Sequence, residues 1–336
     1  MNKCLLSFVI AIMLLVASLR AYGQYRDSIQ IPVHDPVMIQ EKDSFYLFAT
    51  GRGISVWKSS DMQTWTRQNP VFEQATDWMK KIVPDFKNHI WAPDISHHNG
   101  FYYLYYSISA FGKNTSAIGL AKNSTLDENS PDYEWEDLGM VIQSVPGRDN
   151  WNAIDPNLVI DREGVAWLSF GSFWDGVKMV RLADDLKTVQ NGKDDWFTIA
   201  RRKRTYELND RSPGDGAIEA PFIFEKEGYY YLFVSFDYCC KGAESTYKIV
   251  VGRSDKVQGP YFDRNGEPMQ NGGGSLVVEG DDKWYGVGHN AALTFEEKDY
   301  LIFHGYEAKD NGRSKLLIRQ ISWDQDGWPS VSLVQE

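Results

Sequence analysis

Five short stretches of the chain set a chemically capable side chain beside a proline or its equivalent. His34-Asp35-Pro36 and Ile154-Asp155-Pro156 carry an aspartate directly before the proline. Glu219-Ala220-Pro221 has a glutamate two residues before it, Pro93-Asp94 an aspartate directly after it. In His289-Asn290 an asparagine stands where the fifth proline would be. Carboxyls gathered in one pocket can move protons: one, kept protonated, gives its proton to a departing oxygen, while an ionised one activates water or attacks carbon. Their pKa values must differ, and a third carboxylate nearby can raise the donor's value by like-charge repulsion. Taken singly, each Asp-Pro is an ordinary turn opener. Recurrence at matching places is what makes a site of them, and Asp94, beyond its proline, has the better case for a structural role.

Asp35 and Glu219 are more than 180 residues apart, so the fold must bring them together. The elements able to do so repeat along the chain: a polar residue beside proline, a short apolar run, a turn, then an aromatic run. Copies begin at His34, Ala92, Asp155, Ala220 and Gly288, and the markers Pro36, Pro93, Pro156, Pro221 and Asn290 are spaced by 57, 63, 65 and 69 residues. The aromatic runs at 45–50, 101–106 and 229–234 have the composition of strands and are bounded by Gly, Asp and Asn turns. Further strands are expected at 54–58, 117–121, 178–181 and 248–252. No long segment has a 3.6-residue period, and 124–151 and 182–216 read as long loops with one helical turn. Five units of about four strands predict an all-β, five-bladed β-propeller, in which equivalent residues of different blades converge beside the axis. A tandem of β-sandwiches, the alternative, would not keep a polar residue at one fixed place in each repeat.

The 336 residues include 35 Lys and Arg against 46 Asp and Glu, a net charge of −11. That balance excludes nucleic acid and disfavours an anionic membrane surface as partner. The 14% aromatic content suits β-strands and sugar-binding clefts alike. Residues 1–23 read as a secretory signal: Lys3, an apolar run over 4–19, then Ala21-Tyr22-Gly23 as a small-x-small cleavage site. The run is short for a spanning helix, so no membrane association is expected after cleavage. A secreted or periplasmic protein follows, with 24–336 as one propeller domain, expected to be a monomer. Outside the signal the cysteines are Cys239 and Cys240. Adjacent Cα atoms lie about 3.8 Å apart, below the usual disulfide range, so two small buried thiols are expected. No zinc-binding spacing of Cys or His is present.

At these residues the sequence resembles glycoside hydrolase family 43, and within it the arabinan endo-1,5-α-L-arabinanases. The matching pieces are His34-Asp35-Pro36, Ile90-Trp-Ala-Pro-Asp-Ile95, Asn152-Ala-Ile-Asp-Pro-Asn157, Gly171-Ser-Phe-Trp-Asp-Gly176 and Ala217-Ile-Glu-Ala-Pro221. Ser235-Phe-Asp-Tyr-Cys-Cys240, Ser245-Thr-Tyr247, Gly288-His-Asn290 and His304-Gly-Tyr306 continue the series. The resemblance implies an inverting glycosidase with Asp35 as general base, Glu219 as general acid and Asp155 raising and orienting the acid. It implies calcium at His289 with water completing the shell, although an imidazole is an atypical calcium ligand. Here Val287 and Ala291 depart from the family's usual Pro and Ser. Trp91 and Phe111 resemble aromatics that stack on arabinose, and Asn157 and Ser172 fall in the matching motifs as further substrate contacts. The implied substrate is arabinan or its oligosaccharides, cut internally. The rivals are exo-arabinanase, α-L-arabinofuranosidase or β-xylosidase action on the same fold, or a non-catalytic sugar-binding propeller.

Overall fold

The structure, a computed structural model, describes residues 31–84, 86–203 and 215–334. The signal expected at 1–23 lies outside the described residues. Among them, no helix is long and apolar enough to cross a membrane.

Among the described residues antiparallel strands form six sheets, five of them arranged as the blades of a propeller and the sixth a two-stranded ribbon of Ser322–Trp323 and Pro329–Ser330. Blade one runs through Val37–Glu41, Ser44–Ala49, Ser55–Ser59 and Thr66–Arg67, and blade two through His89–His98, Phe101–Ser109, Ser116–Asn123 and Glu136–Ser144. Blade three comprises Asn157–Ile160, Ala166–Phe170, Val177–Arg181 and Trp196–Ala200. Blade four comprises Ile218–Lys226, Tyr229–Phe236, Lys248–Ser254 and Ser275–Glu279. Blade five has three strands, Trp284–Phe295, Lys298–Glu307 and Arg313–Gln320, against the four expected. The Leu316 N–H of its third strand reaches back to the carbonyl of Ile31, 3.2 Å away. The first strand of each blade packs against the first strands of its neighbours, and blade five meets blade one, so the ring closes.

The aromatic runs are continuous because each blade is covered on both faces. In Tyr229–Phe236, Tyr230, Leu232 and Val234 pack towards blade three with Trp167 and Met179, while Tyr231 and Phe233 pack towards blade five with Leu301 and Phe303. The period of two that strands impose is present, but both sets are apolar. Two stretches expected as loops contain outer strands, Glu136–Ser144 and Trp196–Ala200, whose mixed burial weakens the sequence signal. Among the described residues the α-helix lies elsewhere, at Asp77–Ile82, and 204–214 of the second stretch lie outside the described residues.

The sequence repeat has a backbone counterpart. Asp35, Ala92, Asp155, Ala220 and His289, each one residue before its proline or Asn290, all lie in the left-handed region, with φ of 52°, 39°, 58°, 56° and 53°. Such a conformation in a non-glycine residue costs about 1–3 kcal/mol and persists only where its surroundings fix it. Here the preceding blade does so by capturing the N–H of the kinked residue. Ala92 donates to Thr50 Oγ1 (2.8 Å), Asp155 to Ser107 Oγ (3.0 Å), Ala220 to Asp155 Oδ2 (3.2 Å) and His289 to Ser235 Oγ (2.8 Å). Asp35 closes the circle by donating to His304 Nδ1 (3.1 Å) in blade five.

Asp94 fastens the next layer. It is buried, with Oδ2 accepting the Leu158 N–H (2.8 Å) and Oδ1 the Asn157 amide (3.2 Å), and burial pushes its pKa up to about 6 against those bonds. Blades four and five are joined by Asp299, whose side chain is 3% exposed. It accepts from Lys226 (2.6 Å), Thr294 (2.7 Å) and the Trp323 indole (2.8 Å). Removing the acid leaves three donors unmatched, so Asp299→Ala should lower unfolding free energy by about 3 kcal/mol in denaturant titration, with turnover at ambient temperature intact. A loss under about 1 kcal/mol, the value of an exposed pair, would show that the contact does not join the blades.

Candidate active site

The kinks turn Asp35, Asp155 and His289 to the axial end of their blades, and Glu219 stands one residue before the kink of blade four. A register shift between Glu219 and Phe222 marks that point in the strand. Asp35, Asp155 and Glu219 are all buried, between 6% and 9% exposed. Glu219 accepts from Ser172 Oγ at 2.7 Å on Oε2 and from Tyr247 Oη at 2.8 Å on Oε1. Gly288 makes room for that contact, since a Cβ there would overlap the Tyr247 ring.

Asp35 receives three side-chain donors. Thr50 Oγ1 lies 2.5 Å from Oδ2, while His34 Nδ1 and His289 Nδ1 lie 2.7 and 3.1 Å from Oδ1. Burial alone would raise its pKa, but the two imidazoles outweigh it and hold the carboxyl well below the usual range. Asp155 is the opposite case. Burial pushes it well above the carboxylate range, with the charges of Glu219 and Asp35 adding to the effect and His289 opposing it. His289 is also disfavoured as a cation by burial, yet Asp35, Asp155 and Glu219 lift its pKa to about 9. One cation thus stands among three acids, with one carboxyl ionised and another inclined to keep its proton. That split is what general acid–base chemistry requires.

A second shell of hydrogen bonds surrounds Asp35, built from residues the sequence patterns contained without a role. His304 is fully buried and burial keeps its pKa well below normal, so it is neutral. Its Nδ1 accepts the Asp35 N–H, which puts its own proton on Nε2, facing Tyr306 Oη at 3.2 Å. Tyr306 Oη also accepts the backbone N–H of Cys240 at 2.7 Å. With both lone pairs filled, it gives its proton to His34 Nε2 at 2.8 Å, leaving His34 to donate Nδ1–H to Asp35. The chain Asp35–His304–Tyr306–His34–Asp35 closes on itself.

Cys239 and Cys240 depart from the expectation of buried thiols. They form a vicinal disulfide at the surface, Cys239 half-buried and Cys240 exposed. Left-handed backbone at Cys240 (φ 63°) turns the chain there.

The proposed sugar contacts are dispersed. Trp91 is half-buried opposite Ser107, and Phe111 is 79% exposed in the turn after Phe101–Ser109. Ser172 is buried on Glu219. Asn157 is 3% exposed, and its amide spans Asp94 and the Ile223 N–H (2.9 Å), linking blades two, three and four. Thr50, Tyr247 and the His34–Tyr306–His304 ring are site residues that sequence reasoning did not assign. The signal for them was their place within the matching motifs, except for Thr50, which ends the aromatic run at 45–50.

His289 offers an ion one nitrogen, because Nδ1 faces Asp35. Among the described residues, His34, Asp35 and His304 form a group close enough to ligate a metal, but their nitrogens are engaged in the ring above. The next residue, Asn290, buries an amide whose Oδ1 and Nδ2 have no partner among the described residues, a polar surplus suited to water. The donor set therefore fits a mostly hydrated cation held by one imidazole and does not fit one wrapped in protein ligands.

Comparison with known proteins places the chain among arabinan-acting enzymes. An extracellular exo-α-(1→5)-L-arabinofuranosidase of Cellvibrio japonicus is 50% identical over 325 residues, covering 97% of this chain and 92% of its own. An extracellular endo-α-(1→5)-L-arabinanase of Bacillus subtilis is 43% identical over 302 residues, covering 89% and 87%. The solved structure of Cellvibrio cellulosa α-L-arabinanase complexed with arabinohexaose superposes with a TM-score of 0.87 at 50% identity, covering 90% of this chain and 96% of that one. The family model for glycosyl hydrolases family 43 matches residues 28–329, and the chain belongs to that family.

Proposed function

We propose that the protein hydrolyses α-1,5-L-arabinofuranosidic linkages of arabinan with inversion at the anomeric carbon. The observation that carries this is the opposed behaviour of its carboxyls: Asp35 held ionised by His34 and His289, Asp155 pushed towards the neutral acid beside Glu219. Glu219 gives a proton to the departing glycosidic oxygen as the C1–O bond breaks. Asp35 takes one from the water that attacks C1 from the opposite face. The Oδ2 of Asp35 has one bonded donor, Thr50, and keeps a lone pair for that water. Ser172 and Tyr247 fix both oxygens of Glu219, and Asp155 beside it keeps a proton on the pair, because two buried neighbouring carboxyls resist ionising together. The substrate follows from relatives named for arabinan, one of them solved with arabinohexaose.

Internal cutting is the mode implied by the sequence motifs. The exo mode is the second reading, favoured by the relative at 50% identity. Export fits relatives that are called extracellular, and the protein is proposed to act as a monomer. A calcium ion at His289, hydrated on its remaining sides, is part of the proposal; it would take the place of the Nε2 proton of the imidazolium and supply the positive charge to the carboxylate group in its stead.

Incubation with linear arabinan tests the whole reading. A ladder of oligomers indicates endo action, one short product exo action, and no product would support the sugar-binding rival. Asp35→Ala and Glu219→Ala should each lower kcat by about a thousandfold or more with the fold intact by circular dichroism, and NMR of the first product should show the inverted anomer. Retained configuration or near-normal turnover in either variant sinks the assignment.

The pH profile follows from the shifts. Rate rises with pH as Asp35 ionises, and its pKa is depressed, so the acid limb should lie below about pH 4, the ordinary carboxylate value. Rate falls when the pair of carboxyls loses its last proton, and Asp155→Asn, which removes the carboxyl whose ionisation would oppose that loss, should move that alkaline limb to lower pH. An unmoved limb would show that Asp155 does not act on the acid. Exhaustive chelation should lower activity and Tm, with calcium restoring both; indifference of both to chelator removes the ion from the reading.

A further inference from the structure

The loop that joins Tyr229–Phe236 to Lys248–Ser254 in blade four touches both ends of the site. At its far end Tyr247 bonds to Glu219 (2.8 Å). At its near end the Cys239–Cys240 bridge meets the ring around Asp35: the Cys240 N–H reaches Tyr306 Oη (2.7 Å) and Cys240 Sγ lies 3.8 Å from His34 Nε2. The base of the loop is tied by Thr246 N–H to the Tyr238 carbonyl (3.0 Å) and Tyr238 N–H to Thr246 Oγ1 (3.2 Å). The turn at its tip is tied by Lys241 N–H to Ser245 Oγ (3.1 Å). Between these ties the bridge cross-links the two residues that carry the contact to Tyr306.

We propose that the Cys239–Cys240 disulfide is a positioning element for Asp35, acting through Tyr306 and His34. The hydrogen directions define how. Tyr306 Oη has two lone pairs, filled by Cys240 N–H and His304 Nε2–H, and this aims its single proton at His34 Nε2. His34 is thereby fixed in the tautomer that donates Nδ1–H to Asp35 Oδ1 (2.7 Å). Without a fixed Cys240 N–H, Tyr306 is free to rotate its proton elsewhere, and His34 loses both its tautomer and its orientation. Asp35 would then keep Thr50 and His289 but turn about them, which misaims the lone pair offered to water. The bridge touches neither water nor sugar in this scheme. It rests on the reading of Asp35 as the base.

A double-mutant cycle tests it on linear arabinan. Cys239→Ala/Cys240→Ala should lower kcat about tenfold with KM changed by less than about twofold, and Tyr306→Phe should do the same. Adding the cysteine changes to Tyr306→Phe should lower kcat by no more than about a further twofold, because both act through one contact. Unchanged kcat in the cysteine variant, a rise in KM alone, or effects that multiply in full would each overturn the proposal. If the cysteine variant does not fold, the folded wild type can be reduced with a phosphine, with thiol titration confirming two released thiols and near-UV circular dichroism confirming the fold. The same kcat loss is then expected in the wild type and not in Tyr306→Phe. Asp35→Ala separates the two levels. If it stays active, the base assignment fails and this inference with it; if it is inactive while the cycle multiplies, this inference fails alone.

Discussion

The site depends on one backbone event repeated five times. At the start of each blade a residue enters the left-handed region, and its N–H is taken by a side chain of the blade before it. Asp35, Ala92, Asp155, Ala220 and His289 share this geometry, although they share no side chain. Proline after four of them narrows the backbone's alternatives further, since the residue before a proline is already disfavoured in the α region. A strained conformation held by a neighbour is stable only in the closed ring, because each kink relies on the blade before it and the first relies on the last. The catalytic geometry is therefore a property of ring closure. The identity of the side chain at each kink is left open, and two positions are used for acids and one for a histidine.

Gathering acids at one axis has an electrostatic consequence that the surrounding residues answer. Three buried carboxylates with no countercharge would all be driven towards the neutral form. His289 carries the compensating charge, and it stands nearest to Asp35, so the field is uneven. The uneven field separates the carboxyls: the one facing two imidazoles stays ionised, and the one enclosed between its acidic neighbours does not. His304, a few ångströms away, has the opposite state because it must accept the Asp35 N–H. Two histidines of one site are thus held in different charge states by what their Nδ1 atoms face.

The repeat was legible because it is written in residue types with strong backbone meaning. The prolines, the aromatic second strands and the acids beside the prolines recur at regular spacing, and each reports on the same physical place in its blade. Glu219 could be aligned with Asp35 and Asp155 although it is offset by one residue, because Pro221 marks the register. The outer strands were less legible. Glu136–Ser144 is half exposed and lacks a clean apolar alternation, so nothing in its composition separates it from a loop. The Cys239–Cys240 bridge was misjudged because a general distance rule for disulfides does not anticipate a turn with left-handed backbone at the second cysteine. Asn157 illustrates a different limit: a residue inside a functional motif can be there to join blades, and only its partners Asp94 and Ile223 distinguish that from a sugar contact.

Chemistry and specificity are therefore stored differently in this chain. The acids occupy positions that the ring repeats, so five copies of one signal point to them. Exposed aromatic rings lie in the connections between strands, where each blade differs: Phe111 in the turn of blade two, and Tyr238 of blade four, whose ring lies 6.0 Å from that of Phe173. No repeat reinforces any of these, so a change in one loop alters the surface there without disturbing the kinks behind it. A proton-transfer apparatus held by closure of the whole ring tolerates such changes as long as the loops that also reach inward are kept. The loop carrying Cys240 and Tyr247 is one of these, since it faces the solvent on one side and on the other reaches Glu219 through Tyr247 and the ring around Asp35 through Tyr306.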